Sequence, residues 1–324
     1  MVAEAGYVGY DAHGLTSLVD INPFPLGTNN RIYDGIATYG TPAYGYLQEF
    51  QNVSNANYNA MQLSLNKRMS DTKIGSVFYT FAYTWSHEID NASGFRQRNF
   101  AVPYYDHNYF RASGDTDVRN ALTFSGGWDV PFDRMWQSGP KLLTKGWSLY
   151  PIVTWRTGFP LDIYANLNTT NTDPGPAGDG AAGLVRADQV LPTVATYNAR
   201  TYQSINGSAG NYFFNPLALS NTNLLALDAQ AQADASQLIG HFTEGSFPRN
   251  GLRGPGAITT NLSLSKHFLF MEGRLDAELR LEAFNLFNHT NFANPSTNIG
   301  SSLFGQVTTT LGPRVGEIAL HLRF

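Results

Sequence analysis

The densest group of reactive side chains is Ser86-His87-Glu88-Ile89-Asp90, a hydroxyl, an imidazole and two carboxylates in one short segment. A nucleophilic triad needs the imidazole to reach both the hydroxyl and a carboxylate. In a strand, successive side chains point to opposite faces, which turns His87 away from Ser86, Glu88 and Asp90. A metal here would need further ligands from other strands. Asp173 and Asp179 offer oxygens to calcium but lack the ligand run of an EF-hand. The chain has no Gly-x-Ser-x-Gly elbow, phosphate-binding loop, dinucleotide fingerprint or His-Glu-x-x-His, and its 7 His are dispersed. The expectation is a protein that is not an enzyme, with no catalytic residues, no cofactor and no metal.

The elements that carry these residues are legible in the hydrophobic pattern. Charged residues make up 14% of the 324 residues, against roughly 25% in an ordinary soluble domain. Aromatics make up 13%, the net charge is −4 and Cys is absent, while mean hydropathy is −0.25. Uncharged polar residues supply the hydrophilicity, as suits a wall with lipid on one face and water on the other. The charge balance is too neutral for a nucleic-acid partner. No apolar run reaches the roughly 18 residues of a spanning helix. The first residues carry no signal-peptide pattern.

Period-two alternation is strong. Leu275, Ala277, Leu279, Leu281 and Ala283 share one face, and Arg274, Asp276, Glu278, Arg280 and Glu282 the other. Val77, Tyr79, Phe81, Tyr83 and Trp85 oppose Ser76, Thr80, Thr84, Ser86 and Glu88. Leu122, Phe124, Trp128 and Val130 oppose Arg119, Thr123, Ser125 and Asp129, while Trp147, Leu149, Val153 and Trp155 oppose Ser148, Thr154 and Arg156. Ile258, Leu262, Leu264, Phe268 and Phe270 oppose Asn261, Ser263 and Ser265; Ile318, Leu320, Leu322 and Phe324 oppose Glu317, His321 and Arg323. Many of these segments exceed the usual globular strand and match the roughly 9–11 residues of a tilted bilayer-spanning one. About nine strands are expected, near residues 1–10, 44–52, 58–69, 73–89, 118–131, 146–158, 257–270, 273–287 and 314–324. An odd count, with no signal peptide, points to a truncated N-terminus.

Connections alternate in length. Met69-Ser-Asp-Thr72 and Phe270-Met-Glu-Gly273 read as tight turns and 132–145 as a middling one, whereas about 91–117, 158–256 and 288–313 are long. Outer-membrane barrels have short periplasmic turns and long extracellular loops. Within 158–256, residues 168–180 read as coil and 224–238 as a short helix.

Several stretches together resemble the later barrel strands of TonB-dependent receptors with a carboxypeptidase-regulatory-like N-terminal domain (the Oar-like type). They are Tyr58-Asn-Ala-Met-Gln-Leu-Ser-Leu-Asn-Lys-Arg68, Tyr79-Thr-Phe-Ala-Tyr-Thr-Trp-Ser-His-Glu-Ile-Asp90, Asp117-Val-Arg-Asn-Ala-Leu-Thr-Phe-Ser-Gly-Gly-Trp128, Gly146-Trp-Ser-Leu149 with Thr157-Gly-Phe-Pro160, and Arg280-Leu-Glu-Ala-Phe-Asn-Leu-Phe-Asn-His-Thr-Asn-Phe292. The resemblance implies an all-β fold, a transmembrane antiparallel β-barrel. This chain would supply its C-terminal part, about nine or ten of about 22 strands. It also implies a ligand-uptake receptor in the bacterial outer membrane, energised by the TonB complex through an N-terminal part this chain lacks, with the plug domain absent as well. Partners would be outer-membrane lipid, the barrel-assembly machinery and an unknown small ligand.

On that reading Ile318, Leu320, Leu322 and Phe324 form the closing strand and assembly signal. Arg119, Arg156, Arg274, Asp276, Glu278, Arg280 and Glu282 face the lumen. Tyr79, Phe81, Tyr83, Trp85, Trp128, Trp147 and Trp155 face lipid or form its aromatic girdles. Two alternatives stay open: a passive porin or adhesin barrel, and a soluble β-rich carbohydrate-binding module.

Overall fold

The computed structural model describes residues 1–22, 33, 47–91, 93, 102–103, 107–108, 110–167, 183–205, 207–222, 245–270 and 275–324. Eight long strands dominate: β1 (Val2–Asp20), β2 (Gln48–Thr72), β3 (Gly75–Asp90), β4 (Asn120–Val130), β5 (Trp147–Arg156), β6 (Ala257–Phe270), β7 (Leu275–Phe284) and β8 (Val315–Arg323). Each long strand pairs with its neighbours in sequence, and every pairing between them is antiparallel, giving one meander from β1 to β8. Among the described residues β1 and β8 are not paired with each other. A short parallel pairing, Val19–Val102 and Asp20–Pro103, caps the far end of β1.

The register explains why alternation was so legible. Phe81 pairs with Leu65 and Phe124, Phe124 with Val153, and Leu264 with both Leu149 and Leu281, which in turn pairs with Ile318. Directly paired residues share a face, so the apolar sets of adjacent strands merge into one continuous apolar face. The opposite face carries Thr80, Ser125, Ile152, Asn261, Ser265, Arg280 and their neighbours.

Three boundaries differ from expectation, the first being that β1 runs on to Asp20, well past the expected 1–10. Residues 48–52, from the segment expected at 44–52, and residues 58–69 belong to one strand, β2, because Ser54 and the Asn residues around it pair with β1 instead of turning. Among the described residues the long strands therefore number eight. The expected turn at 69–72 is instead a bulge between Lys67 and Ser70; the chain reverses at Lys73-Ile74. Gly75 there has φ +108°, and a Cβ on it would lie 2.1 Å from the Asp129 carbonyl oxygen. Thr72 Oγ1 closes the turn, donating to the Gly75 carbonyl at 2.6 Å and accepting from Ile74 N. Residues 132–145 hold two one-turn helices, α1 (Phe132–Met135) and α2 (Lys141–Thr144), which the pattern did not reveal.

All the long connections leave from one end of the sheet: 21–47, 91–119, 157–256 and 285–314. The turn at 73–74, residues 131–146, the C-terminal end of β6 and the start of β7 lie at the other end; the expected turn at 270–273 falls mostly outside the described residues.

Candidate functional site

The long connections are not simply coil. Pro160–Leu161 pairs with Leu252–Arg253, Tyr164–Leu167 with Gly183–Arg186, and Asp188–Gln189 with Leu219–Ser220. Ile163, Ala187, Phe214, Leu219 and Phe247 from the 157–256 connection bury a shared core with Phe304 from 285–314. The Phe214 and Phe304 rings meet edge to face at 5.2 Å, and Gly305 O accepts from Phe213 N. Two connections far apart in sequence thus fold together as a cap. Apolar burial holds it, at roughly 1.5–3 kcal/mol per large side chain. The expected coil at 168–180, the helix at 224–238, and Asp173 and Asp179 lie outside the described residues.

Two arginines fasten this cap to the strand ends. Arg249, with its side chain only 2% exposed, holds Asp90 at the tip of β3 with Nη2–Oδ1 2.7 Å. It also donates to Ser93 Oγ, Asp115 and the carbonyls of Asp90 and Phe110. Arg253 grips the fully buried carboxylate of Asp117, which also accepts from Glu88 N and lies 3.0 Å from Arg119. Asn250, between them, takes φ 55° and donates to Ser113 O and Asp115. Buried charges persist only when paired and hydrogen-bonded, and here they are. Beside this latch a cavity of about 330 Å³ is lined by Asp115, Leu161, Asp162, Tyr164, Asn250 and Asn294 among others.

The segment with catalytic residue types is absorbed into the latch. His87 Nδ1 lies 3.4 Å from Asp117 and its Nε2 lies 3.2 Å from Arg119. Ser86 Oγ donates to the Val118 carbonyl, and Glu88 accepts from Thr116. The hydroxyl is thus engaged away from the imidazole. Among the described residues no group of three His, Asp or Glu side chains is placed to hold a metal.

On the polar face, β6, β7 and β8 carry a ladder of charges. Glu278, 5% exposed at its side chain, accepts from Arg280 at 2.8 Å and has His267 and Arg323 within 4 Å. Arg280 also reaches Glu282 at 3.8 Å, and His267 meets Asp276 at 3.0 Å. Arg156 lies on the same face at the end of β5, its guanidinium 4.2 Å over Phe159. Arg119 sits one residue before β4, in the latch, and Arg274 lies outside the described residues.

Tyr79, Phe81, Tyr83, Trp85, Trp128, Trp147 and Trp155 all fall on the apolar face by register. So do Ile318, Leu320 and Leu322 on β8, whose side chains are well exposed, as is that of Phe324 just beyond it. Two lysines missed by pattern reading sit on this apolar face near the short-turn end. Lys67 folds its amine onto Ser70 and the Val77 carbonyl; Lys266 folds onto the Lys145 and His267 carbonyls, over the Trp147 and Phe268 rings. Lys266 is buried and Lys67 half-buried, and each carries its charge toward the turn, as a cation on an apolar wall must.

No curated protein and no solved structure matches the chain. A meander of long strands with one apolar and one polar face, long connections at one end and short ones at the other, is the wall of a membrane barrel. With residues 1–317 matching the family model described as "Outer membrane beta barrel domain", the chain belongs to that family.

Proposed function

We propose that this outer-membrane barrel protein is an uptake receptor of the TonB-dependent type in a bacterial outer membrane, its capped end outside the cell and its short turns in the periplasm. The cap carries the proposal: two connections fold into one body with its own core and are latched by Arg249 and Arg253 to the strand ends. A passive pore needs no such structure over its mouth, whereas a receptor needs a shaped outer surface to select its ligand. The cavity beside the latch, rich in carboxylates and amides, is the place for a small ligand. The charge ladder of Asp276, Glu278, Arg280 and Glu282 then faces the lumen and contacts a plug supplied by another part of the receptor. Ile318 to Phe324 serve the assembly machinery. No catalysis is assigned.

Aromatic spacing supports placing the apolar face in lipid. Trp147 and Trp155 bracket β5, and on β3 Trp85 stands as far from Val77, the register partner of Trp128. Each separation is 8 residues (155 − 147 and 85 − 77). That is about 27 Å along a strand, and about 20 Å of height at a tilt near 40°, close to an apolar band of about 25 Å flanked by aromatic girdles. Family membership sets aside the soluble carbohydrate-binding module.

The test is conductance and energy dependence. In planar bilayers the receptor reading expects no steady open-channel current, and in cells it expects uptake that stops when the inner-membrane proton gradient is collapsed. A steady ohmic conductance with uptake indifferent to the gradient would establish the passive porin instead.

A further inference from the structure

The β4–β5 connection carries features that neither the cap nor the wall uses. Phe132, Met135, Trp136, Leu142 and Leu143 are all exposed, between 41% and 74%. Single exposed apolar residues are ordinary, but five on or directly beside two adjoining one-turn helices form a patch that soluble surfaces avoid.

The patch continues the apolar face of the sheet. Phe132 packs edge to face on Trp147 at 6.1 Å, and Trp147 Nε1 donates to the Leu143 carbonyl at 2.6 Å. Lys266, on the same face, donates to the Lys145 carbonyl. The connection thus folds outward over the short-turn end of the apolar wall. Arg134, Lys141 and Lys145 are exposed along it, with Asp133 the single acid between residues 131 and 146. Next to it, the β2–β3 turn repeats the combination with exposed Lys73 and Ile74, whose carbonyl accepts from Trp128 Nε1 at 2.6 Å.

We infer that α1 and α2 form an interfacial foot embedded in the periplasmic leaflet of the outer membrane. Its apolar side chains enter the headgroup–acyl boundary, while Arg134, Lys141 and Lys145 bind the phosphates of anionic phospholipids. The inference rests on the lipid-facing assignment of the apolar wall and goes beyond it. Short amphipathic segments with a basic edge and large apolar residues lie in the interface plane in this way, and basic residues beside a membrane favour its anionic lipids.

The experiment uses the chain in vesicles of phosphatidylcholine, with or without phosphatidylglycerol. Because the chain has no Cys, Leu142→Cys and, on the β5 wall, Val153→Cys can each carry a single fluorophore. Quenching is read with lipids bearing a shallow or a deep nitroxide. Val153 should be quenched best by the deep probe. Leu142 should be quenched best by the shallow one, and more strongly when phosphatidylglycerol is present. Replacing Arg134, Lys141 and Lys145 together by Gln should reduce that anionic-lipid gain by about fivefold or more. Quenching at Val153 with none at Leu142 overturns the foot and leaves the wall assignment intact; no quenching at either site overturns the wall assignment as well. Shallow quenching at Leu142 that ignores both phosphatidylglycerol and the triple substitution overturns the phosphate-binding role.

Discussion

Replacing Arg249 by Ala should release the cap while leaving the sheet formed. Its guanidinium holds five acceptors: Asp90 Oδ1 at 2.7 Å, Ser93 Oγ at 2.8 Å, Asp115 Oδ1 at 3.1 Å and two carbonyls. The consequence turns on Asp90, whose side chain is 6% exposed, because removing the cation leaves its carboxylate buried and unpaired. Asp115, 47% exposed, rehydrates at small cost. Breaking one partner of a buried pair costs about 3–5 kcal/mol, and the Ser93 hydroxyl that still donates to Asp90 puts the value at the lower end. At about 1.4 kcal/mol per decade, the open state of the cap should gain roughly 100- to 1000-fold in population.

Hydrogen exchange followed by mass spectrometry, on the protein in detergent, reads this directly. Cap amides in residues 187–220 should lose protection by two to three decades while those of β6 keep theirs. Arg253→Ala should do less, because Arg253 is 30% exposed and Asp117 keeps Arg119. Adding Asp90→Asn to Arg249→Ala should restore more than half of the loss, since a neutral amide needs no counter-charge. Cap exchange within threefold of the parent in Arg249→Ala would refute the latch. Equal loss in β6 would show that Arg249 supports the whole sheet and not the cap alone.

Three further outcomes follow from the packing. Phe81→Arg, midway between Val77 and Trp85 on the apolar face, should cost about 2–4 kcal/mol of folding into bilayers, whereas Thr80→Arg on the polar face should cost little; equal losses in urea titrations of bilayer folding would contradict the face assignment. Gly75→Ala should destabilise the β2–β3 hairpin by about 2 kcal/mol or more, because its φ and the nearby Asp129 carbonyl both exclude a Cβ; an unchanged midpoint in the same titration would show that the turn can rearrange. Phe214→Ala should cost the cap about 3–5 kcal/mol, read as protease nicking between 187 and 220 with the strands intact; resistance equal to the parent would mean that the buried cluster does not hold the cap.

The faces of β3 to β8 were legible because alternation repeats in each of these strands, so small boundary errors left their faces unchanged. The β2 interruption and the misplaced turn share a cause. Val53-Ser-Asn-Ala-Asn57 and Ser70-Asp71 carry turn-forming residue types, yet cross-strand pairing with β1 and β3 holds them extended. The cap was illegible for a different reason. Ile163, Phe214, Phe247 and Phe304 have no common period, and Arg249 finds Asp90 at a sequence separation of 159. Contacts of that range leave no local pattern. Lys67 and Lys266 were invisible as interface markers because a lysine among apolar residues reads as an exception until its amine is seen folded back to the turn.

The central claim is that the apolar face of the meander meets lipid and the polar face meets water. It is tested most directly by a nitroxide scan of β7, one introduced Cys at a time from Leu275 to Phe284 in a chain with no Cys of its own. Collision rates with oxygen, which concentrates in the bilayer, and with a water-soluble nickel chelate should alternate at period two and in opposite phase. Oxygen maxima should fall at Leu275, Ala277, Leu279, Leu281 and Ala283. Rates that vary without period, or oxygen maxima at Asp276, Glu278, Arg280 and Glu282, would contradict it.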